Sequence, residues 1–227
     1  TVGDVGGYSL NIHKHINTGE GGIVVTNNKE YANKIFLIRN HGENMLHKIK
    51  IKNSKNIVGY NFRMGEIEAA IGIEQLKKLP KILKRIRENA DLLNDGLGKL
   101  KGLIVPKIDK NEFTHSYYFY GLKIDYTKVQ INRNILIKKL RKEGVPCSPG
   151  YLNLHKIPIF KNKIAYGSKG FPWSLNQNNN YLNTKCPVAE DLHNRSFFRI
   201  PLAEYNFSQN DINSIVKSFY KIWNNLI

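Results

Sequence analysis

A single lysine, Lys14, lies five residues after Ser9 and just before a glycine-rich turn at residues 19–22. A lysine amine in this place can form an imine with a carbonyl cofactor, which a carboxylate, a hydroxyl or a guanidinium group cannot do. The Ser9 hydroxyl can donate a hydrogen bond to a phosphate oxygen, and the glycines let the backbone approach a bulky group closely. A surface lysine before a hairpin turn would show the same spacing, because glycine-rich turns followed by strands are common.

Asn61 and Arg63 lie just before a helix that the apolar spacing predicts from Glu66. Backbone N–H groups at the start of a helix can bind an anion, and both side chains can donate further hydrogen bonds to it. A turn asparagine followed by a solvent-exposed arginine would give the same pattern. The adjacent Tyr60 adds an aromatic ring to this segment.

Both segments resemble signatures of the DegT/DnrJ/StrS-type sugar aminotransferases, which are fold-type-I enzymes that use pyridoxal 5′-phosphate. The matching residues are Ser9, Lys14-His15-Ile16 and Thr18-Gly19-Glu20-Gly21-Gly22, then Gly59-Tyr60-Asn61-Phe62-Arg63-Met64, Glu66-Ile67-Glu68-Ala69-Ala70-Ile71-Gly72 and Gln75-Leu76. The two matches come in the expected order and at the expected separation. The resemblance extends over essentially the whole chain and becomes loose after about residue 105.

This resemblance implies an α/β fold in two domains. Residues 1–105 would form the C-terminal part of the large, mixed-sheet, cofactor-binding domain together with its connecting helix, and residues 106–227 a smaller α+β domain. The family's earlier half carries the turn that grips the cofactor phosphate, the aromatic ring that stacks on the pyridine and the aspartate that pairs with its nitrogen. Asp4 lies too close to Lys14 to be that aspartate, so we expect a C-terminal fragment of a longer enzyme.

The resemblance also implies roles for individual residues. Lys14 would be the catalytic lysine, and it would bind the cofactor together with Ser9. Asn61 and Arg63 would reach the cofactor phosphate of a neighbouring chain in a homodimer. The segment 151–155 resembles one that lines the sugar site, which makes His155 a candidate substrate-binding residue, with Tyr60 as a second.

The implied reaction transfers an amino group, from glutamate, to a keto group on a nucleotide-linked or phosphorylated sugar for polysaccharide or glycan biosynthesis. Two alternatives stay open: a pyridoxal-phosphate-dependent deoxysugar dehydratase and a non-catalytic remnant of the family. Dehydratases of this superfamily carry histidine at the lysine position. Counting from Ser9 and from residues 19–22 places Lys14 in that position, rather than His13 or His15, which favours the aminotransferase.

The chain is strongly basic, with 35 lysines and arginines against 18 acidic residues and a net charge of +17. Such a charge raises the possibility of a nucleic-acid or membrane-surface partner. The basic residues are spread along the chain, however, and the densest group, at 77–87, falls on a predicted amphipathic helix whose polar face would be solvated. We therefore expect neither partner, although the charge would help to attract a phosphorylated substrate.

Cys147 and Cys186 are isolated thiols without the spacing of metal ligands, so we expect no metal site and a reducing, cytoplasmic location. No apolar run of about 18 residues and no signal-peptide pattern is present. Cys147 has no identifiable base nearby and is rejected as a nucleophile. His115 and Glu190 fit structural hydrogen bonding as well as they fit a site.

Apolar periodicity and turn residues also predict the main elements that must position these side chains. The predicted helices cover residues 31–38, 66–79 up to Pro80, 82–97, 132–143, and a final helix capped by Asp211. Strands are predicted at 117–124 and 145–151, and irregular loops at 45–56 and 161–184.

Overall fold

The computed structural model describes residues 2–43, 57–109, 111–175 and 185–226. The predicted loop at 45–56 and the later part of the predicted loop at 161–184 lie outside these residues. The chain divides into two compact units, Thr1–Lys84 and Arg85–Ile227. The boundary between domains at 105/106 stays a prediction.

The first unit contains an antiparallel strand pair followed by helices. Strand β1 (Gly6–Ser9) pairs with β2 (Gly22–Val25), with Ser9 opposite Gly22. Helix α1 (Lys29–Arg39) follows and is capped by the side chain of Asn28, which accepts hydrogen bonds from two backbone N–H groups of its first turn. The helix predicted at 31–38 is thus confirmed, with two further residues at its start and one at its end.

Helix α2 (Glu66–Leu97) is a single element of 32 residues and contains Pro80 in its interior. The prediction that Pro80 separates two helices was wrong. A proline removes one backbone hydrogen bond and crowds the preceding turn, but long runs of good helix formers on both sides keep the helix continuous. The division between the two compact units falls inside this helix, between Lys84 and Arg85.

The second unit is built on a four-stranded antiparallel sheet with the strand order β3-β4-β6-β5. Its strands are β3 (Leu103–Ile104), β4 (Tyr120–Ile124), β5 (Ser148–Pro149) and β6 (Phe197–Ile200). Its further helices are α3 (Arg133–Lys142), α4 (Pro158–Asn162), α5 (Pro187–Asp191) and α6 (Gln209–Trp223), with short 3-10 turns at Leu154–Lys156 and Trp173–Leu175 and a π-helical turn at Leu192–Ser196.

Alternation along β4 and β6 places the core of this unit on one side of the sheet. The fully buried side chains include Leu93, Leu97, Tyr120, Leu122, Ile124, Leu136, Leu140, Phe198, Ile200, Ile212, Phe219 and Trp223. Two of the large ones are polar at one end and find partners there: the Tyr120 hydroxyl donates to Asn94 Oδ1 at 2.7 Å and Trp223 Nε1 donates to the carbonyl of Lys101 at 3.0 Å.

Several predicted elements of the second unit need correction at their ends. The predicted strand at 145–151 shrinks to the two residues of β5, because Pro149 has no N–H to extend the ladder. Helix α6 is capped by Ser208 rather than by Asp211, which lies at the third helical position and accepts from the Ser208 backbone N–H at 2.8 Å. None of the helices in the described parts of the chain is long and apolar enough to cross a membrane.

Candidate active site

Residues 10–21 form a loop between β1 and β2 that carries Lys14, and we refer to it as the Lys14 loop. Its two ends are joined by backbone hydrogen bonds, from the Leu10 N–H to the Gly21 carbonyl at 2.9 Å and from the Thr18 N–H to the Leu10 carbonyl at 3.0 Å. Leu10 and Thr18 are also buried, whereas most of the loop between them is not. The loop is therefore closed at its base by both polar and apolar contacts.

Asn11 organises the turn that leads to the lysine. Its side-chain oxygen accepts a hydrogen bond from the His13 N–H at 3.1 Å, and its carbonyl accepts from the Lys14 N–H at 2.9 Å. Its amide nitrogen donates to Glu20 Oε1 at 2.7 Å, on the opposite arm of the loop. These bonds fix the backbone at Lys14, which is a half-buried residue.

Thr18 fills the inside of the loop base. Its hydroxyl donates to the carbonyl of Glu20 at 2.9 Å, and a Cβ added at Gly21 would lie only 2.7 Å from that hydroxyl oxygen. A Cβ added at Gly72 in α2 would lie 3.3 Å from the Thr18 methyl group. Gly21 is thus required by the packing of the chain itself, and the loop base lies against the first turns of α2.

Ser9 ends β1 and is exposed. Its hydroxyl oxygen accepts a hydrogen bond from the Asn11 N–H at 3.2 Å. A serine hydroxyl is both a donor and an acceptor, so this contact leaves its proton for a second oxygen, as the sequence prediction requires.

The segment that carries Tyr60, Asn61 and Arg63 is held against the end of α1 by three backbone hydrogen bonds, between the segment's residues 60 and 62 and residues 38, 39 and 41, at 2.7–3.0 Å. The rings of Tyr60 and Phe62 stack with their centroids 5.0 Å apart. Tyr60 and Asn61 are exposed. The backbone of the segment is therefore held in place while Tyr60 and Asn61 stay exposed.

Arg63 has a partner within the chain, which the sequence did not indicate. Its Nη1 donates to Oδ1 of the buried Asn40 at 2.8 Å, and the Asn40 amide in turn donates to the carbonyl of Glu43 at 3.3 Å. Since a guanidinium carries five N–H donors, this bond fixes the arginine and leaves other donors for a ligand. The side chain of Met64, the next residue, lies 3.6 Å from a Cβ added at Gly21, so the segment adjoins the Lys14 loop.

His155 lies in the second unit, in the 3-10 turn Leu154–Lys156. Its Nε2 is 3.0 Å from Oε1 of Glu190, whose other oxygen accepts from Lys156 Nζ. Hydrogen bonds from Lys156 and then from His155 lower the pKa of Glu190 to about 2. The sequence analysis considered His155 and Glu190 separately. It did not predict the contact between them, because residues 35 positions apart show no regular spacing.

The other candidates have structural partners. His115 accepts a hydrogen bond from the Tyr117 N–H at its Nδ1, at 2.8 Å, and its carbonyl accepts from Arg87 Nε at 3.0 Å. Burial raises the pKa of the Cys147 thiol to about 11, so the thiol stays protonated near neutral pH. This supports the rejection of Cys147 as a nucleophile.

Comparisons with known proteins place this geometry in context. The model of the DegT/DnrJ/EryC1/StrS aminotransferase family matches residues 1–219. The chain is 36% identical over 178 residues to MJ1066 of Methanocaldococcus jannaschii, covering 76% of this chain and 46% of that protein. It is 31% identical over 154 residues to the UDP-4-amino-4,6-dideoxy-N-acetyl-beta-L-altrosamine transaminase of Helicobacter pylori, covering 68% and 40%.

The structure is also similar to that of the aminotransferase TlmJ from Streptoalloteichus hindustanus, with a TM-score of 0.76 and 24% identity over all of this chain and 54% of that one. This likeness confirms the predicted α/β, fold-type-I class. The relatives also include the GDP-4-keto-6-deoxy-D-mannose 3-dehydratase of Escherichia coli O55:H7, 33% identical over 163 residues, 66% of this chain and 41% of that protein. The chain spans about half the length of the curated relatives it matches.

Proposed function

Because this chain belongs to the DegT/DnrJ/EryC1/StrS aminotransferase family, we propose that Lys14 is the lysine that holds pyridoxal 5′-phosphate in a sugar aminotransferase. The observation that carries the proposal is the Lys14 loop, closed at its base by Leu10, Thr18 and Gly21. The proposed substrate is a nucleotide-linked keto sugar and the proposed donor is glutamate. A UDP-linked sugar in the name of the Helicobacter transaminase supports the first of these.

The residues present fit this cofactor, on which the family depends. The donor set combines the amine of the half-buried Lys14 and the hydroxyl of Ser9 with an amide at Asn61 and a guanidinium at Arg63, which a neighbouring copy of the chain would contribute. The last three are neutral or cationic donors, which suit a phosphate. When bound, the cofactor supplies an aldehyde carbon for the amine and a ring that accepts electrons from the substrate carbon.

In this proposal the chain's own part in the chemistry is proton movement at Lys14 Nζ. In the first half-reaction the amine would take up a proton from the α-carbon of the amino donor and release it again, and in the second it would take up another and deliver it to the sugar carbon. The hydrogen bonds that Asn11 makes within the loop hold the lysine backbone in place during both steps. Proton transfer requires such fixed positions, since a small displacement of the base slows the reaction strongly.

We further propose that the active protein is a homodimer in which Asn61 and Arg63 serve the cofactor of the neighbouring chain. The exposure of Asn61 on a rigidly held segment supports this role. Arg63 would act from a guanidinium already fixed by Asn40. The proposed location is the cytoplasm, where Cys147 and Cys186, both free thiols, would remain reduced.

The second candidate function is a sugar dehydratase, which the similarity to the Escherichia coli dehydratase favours. Dehydratases of the superfamily are distinguished by a histidine where this chain has Lys14. Both histidines near this position, His13 and His15, are one residue away from it. A neighbouring histidine could not replace the lysine without shifting the turn that Asn11 organises.

A product assay separates the two functions. We expect little activity from this chain alone, so the complete protein that contains it is incubated with pyridoxal 5′-phosphate, glutamate and UDP- and GDP-linked 4-keto-6-deoxy sugars, and the products are identified by mass. We expect a sugar in which an amino group replaces the keto oxygen, and no product with Lys14→Ala. A product that has instead lost a hydroxyl group would favour the dehydratase, and amino transfer by Lys14→Ala would contradict the role of Lys14.

A further inference from the structure

Glu190 joins two segments of the second unit that are distant in sequence. Its carboxylate accepts a hydrogen bond from His155 Nε2 at 3.0 Å and one from Lys156 Nζ, both in the 3-10 turn Leu154–Lys156. It also accepts from the backbone N–H of Cys186 at 3.4 Å, at the start of its own helix α5. The Cys186 N–H thus holds the carboxylate at the start of its own helix, and the carboxylate binds the two side chains of the 3-10 turn.

The contact between Glu190 and His155 is better shielded from water than the contact between Glu190 and Lys156. The side chain of His155 is 18% exposed and that of Glu190 27%, whereas that of Lys156 is 51% exposed. A hydrogen bond between partly buried groups fixes geometry better than an exposed ion pair does, because water competes less for the same atoms. His155 is therefore the partner whose orientation Glu190 controls.

The ionisation of Glu190 determines which nitrogen of the imidazole carries the proton. Its pKa of about 2 means that the carboxylate is charged at neutral pH and can only accept hydrogen bonds. Nε2 of His155 must then be the protonated nitrogen, so that Nδ1 of the neutral ring is an acceptor. Among the residues that the structure describes, Nδ1 has no hydrogen-bond partner.

We propose that Glu190 is a positioning residue for His155, which it holds in the tautomer whose Nδ1 accepts a hydrogen bond from a hydroxyl or amide N–H group of the sugar substrate. This rests on the proposed function, because the ligand is the sugar of that function, and on the family resemblance that makes His155 a candidate substrate-binding residue. Glu190 itself need not touch the substrate. A carboxylate that orients an imidazole in this way is a common arrangement where histidine must present one defined nitrogen.

The imidazole tautomer can be measured directly in the purified protein by ¹⁵N NMR of the histidine side chains, at a pH where the ring is neutral. We expect the Nε2–H tautomer at His155 in the wild type and a mixture of both tautomers in Glu190→Ala. Glu190→Met keeps the length of the side chain and gives the same readout if the alanine variant does not fold. The Nε2–H tautomer persisting in a folded variant without the carboxylate would overturn the proposal.

Lys156→Met is the matched control, since it removes the other side-chain partner of Glu190 and leaves the contact with His155. We expect the wild-type tautomer in this variant. A mixture of tautomers like that of Glu190→Ala would show that the ion pair with Lys156, and not the hydrogen bond to His155, determines the tautomer of the ring. That result would also overturn the proposal.

A binding measurement then tests the role toward the substrate, with UDP-N-acetylglucosamine and GDP-mannose as probes in calorimetry and NMR. We expect at least one probe to shift the His155 signals, and its affinity to fall roughly three- to tenfold in Glu190→Ala and in His155→Ala but not in Lys156→Met. His155 signals that neither probe shifts would overturn the proposal. That result leaves the function of Lys14 intact, because the product assay tests Lys14 separately.

Discussion

At the scale of single residues, the shape of the Lys14 loop depends on a threonine that takes no part in chemistry. Thr18 is only 6% exposed, donates its hydroxyl proton across the loop base and fills the space that a side chain at position 21 would need. Gly21 therefore serves the packing of the loop, whereas the sequence alone suggested that it makes room for a bulky cofactor. Both requirements select glycine, and only the structure separates them.

This packing predicts the effect of a single methyl group. Gly21→Ala would place its Cβ 2.7 Å from the Thr18 hydroxyl oxygen, so either that side chain, with its hydrogen bond to the Glu20 carbonyl, or the loop backbone must shift. We expect the free energy of unfolding to fall by roughly 1–3 kcal/mol, as for other overpacked sites, together with slower reaction at Lys14. Urea unfolding and the rate of covalent attachment of pyridoxal 5′-phosphate measure the two effects.

Gly7→Ala is the control for that substitution. Gly7 lies in β1, on the same strand as Ser9, and a Cβ there meets no atom within 4 Å. Its stability and its reactivity should match those of the wild type. Equal behaviour of the two alanine variants would contradict the role given to Thr18.

Residue types and spacing predicted Lys14, Ser9 and Asn61 as candidates because the chemistry of an amine, a hydroxyl and an amide is local. They did not predict the bond between Arg63 and Asn40, which are 23 residues apart, or that between His155 and Glu190. Such contacts depend on the path of the backbone between the partners. A single sequence carries no periodic signal for them.

At the scale of elements, apolar periodicity identified the four longest helices but not the five-residue helices α4 and α5 or the strands β3 and β6. Within the predicted elements, the errors occurred at prolines and caps. Pro80 lies inside α2 because local helix propensity on both sides outweighs one lost hydrogen bond. The cap of α6 was assigned to Asp211 because aspartate is a good capping residue, but Ser208 three positions earlier forms a reciprocal pair with it. At β5 a proline did interrupt the predicted element: Pro149 limits to two residues a strand that composition predicted at 145–151.

At the scale of the whole molecule, the proposed site needs residues from two copies of the chain. Lys14 and Asn61 both belong to the unit Thr1–Lys84, yet the proposed homodimer assigns them to different sites, each chain giving its asparagine to its neighbour. This arrangement makes a prediction that no single-chain site makes. Two inactive variants should restore each other when they share a dimer.

Mixing Lys14→Ala with Asn61→Ala tests this prediction. Each mixed dimer would contain one site with both defects and one site with neither. Activity should rise from near zero to roughly a quarter of the wild-type value, since about half of the dimers are mixed and half of their sites are intact. Subunit exchange shown by mass spectrometry without any recovery of activity would mean that each chain builds its own site.

The central claim is that Lys14 holds the cofactor, and covalent labelling tests it most directly. The complete protein that contains this chain is incubated with pyridoxal 5′-phosphate, reduced with sodium borohydride, digested and mapped by mass spectrometry. We predict the pyridoxyl group on Lys14. Lys34 is the internal comparison, because its bond to Glu30 at 2.7 Å raises its pKa and leaves less neutral amine. A label on Lys34, or on no lysine at all, would contradict the claim.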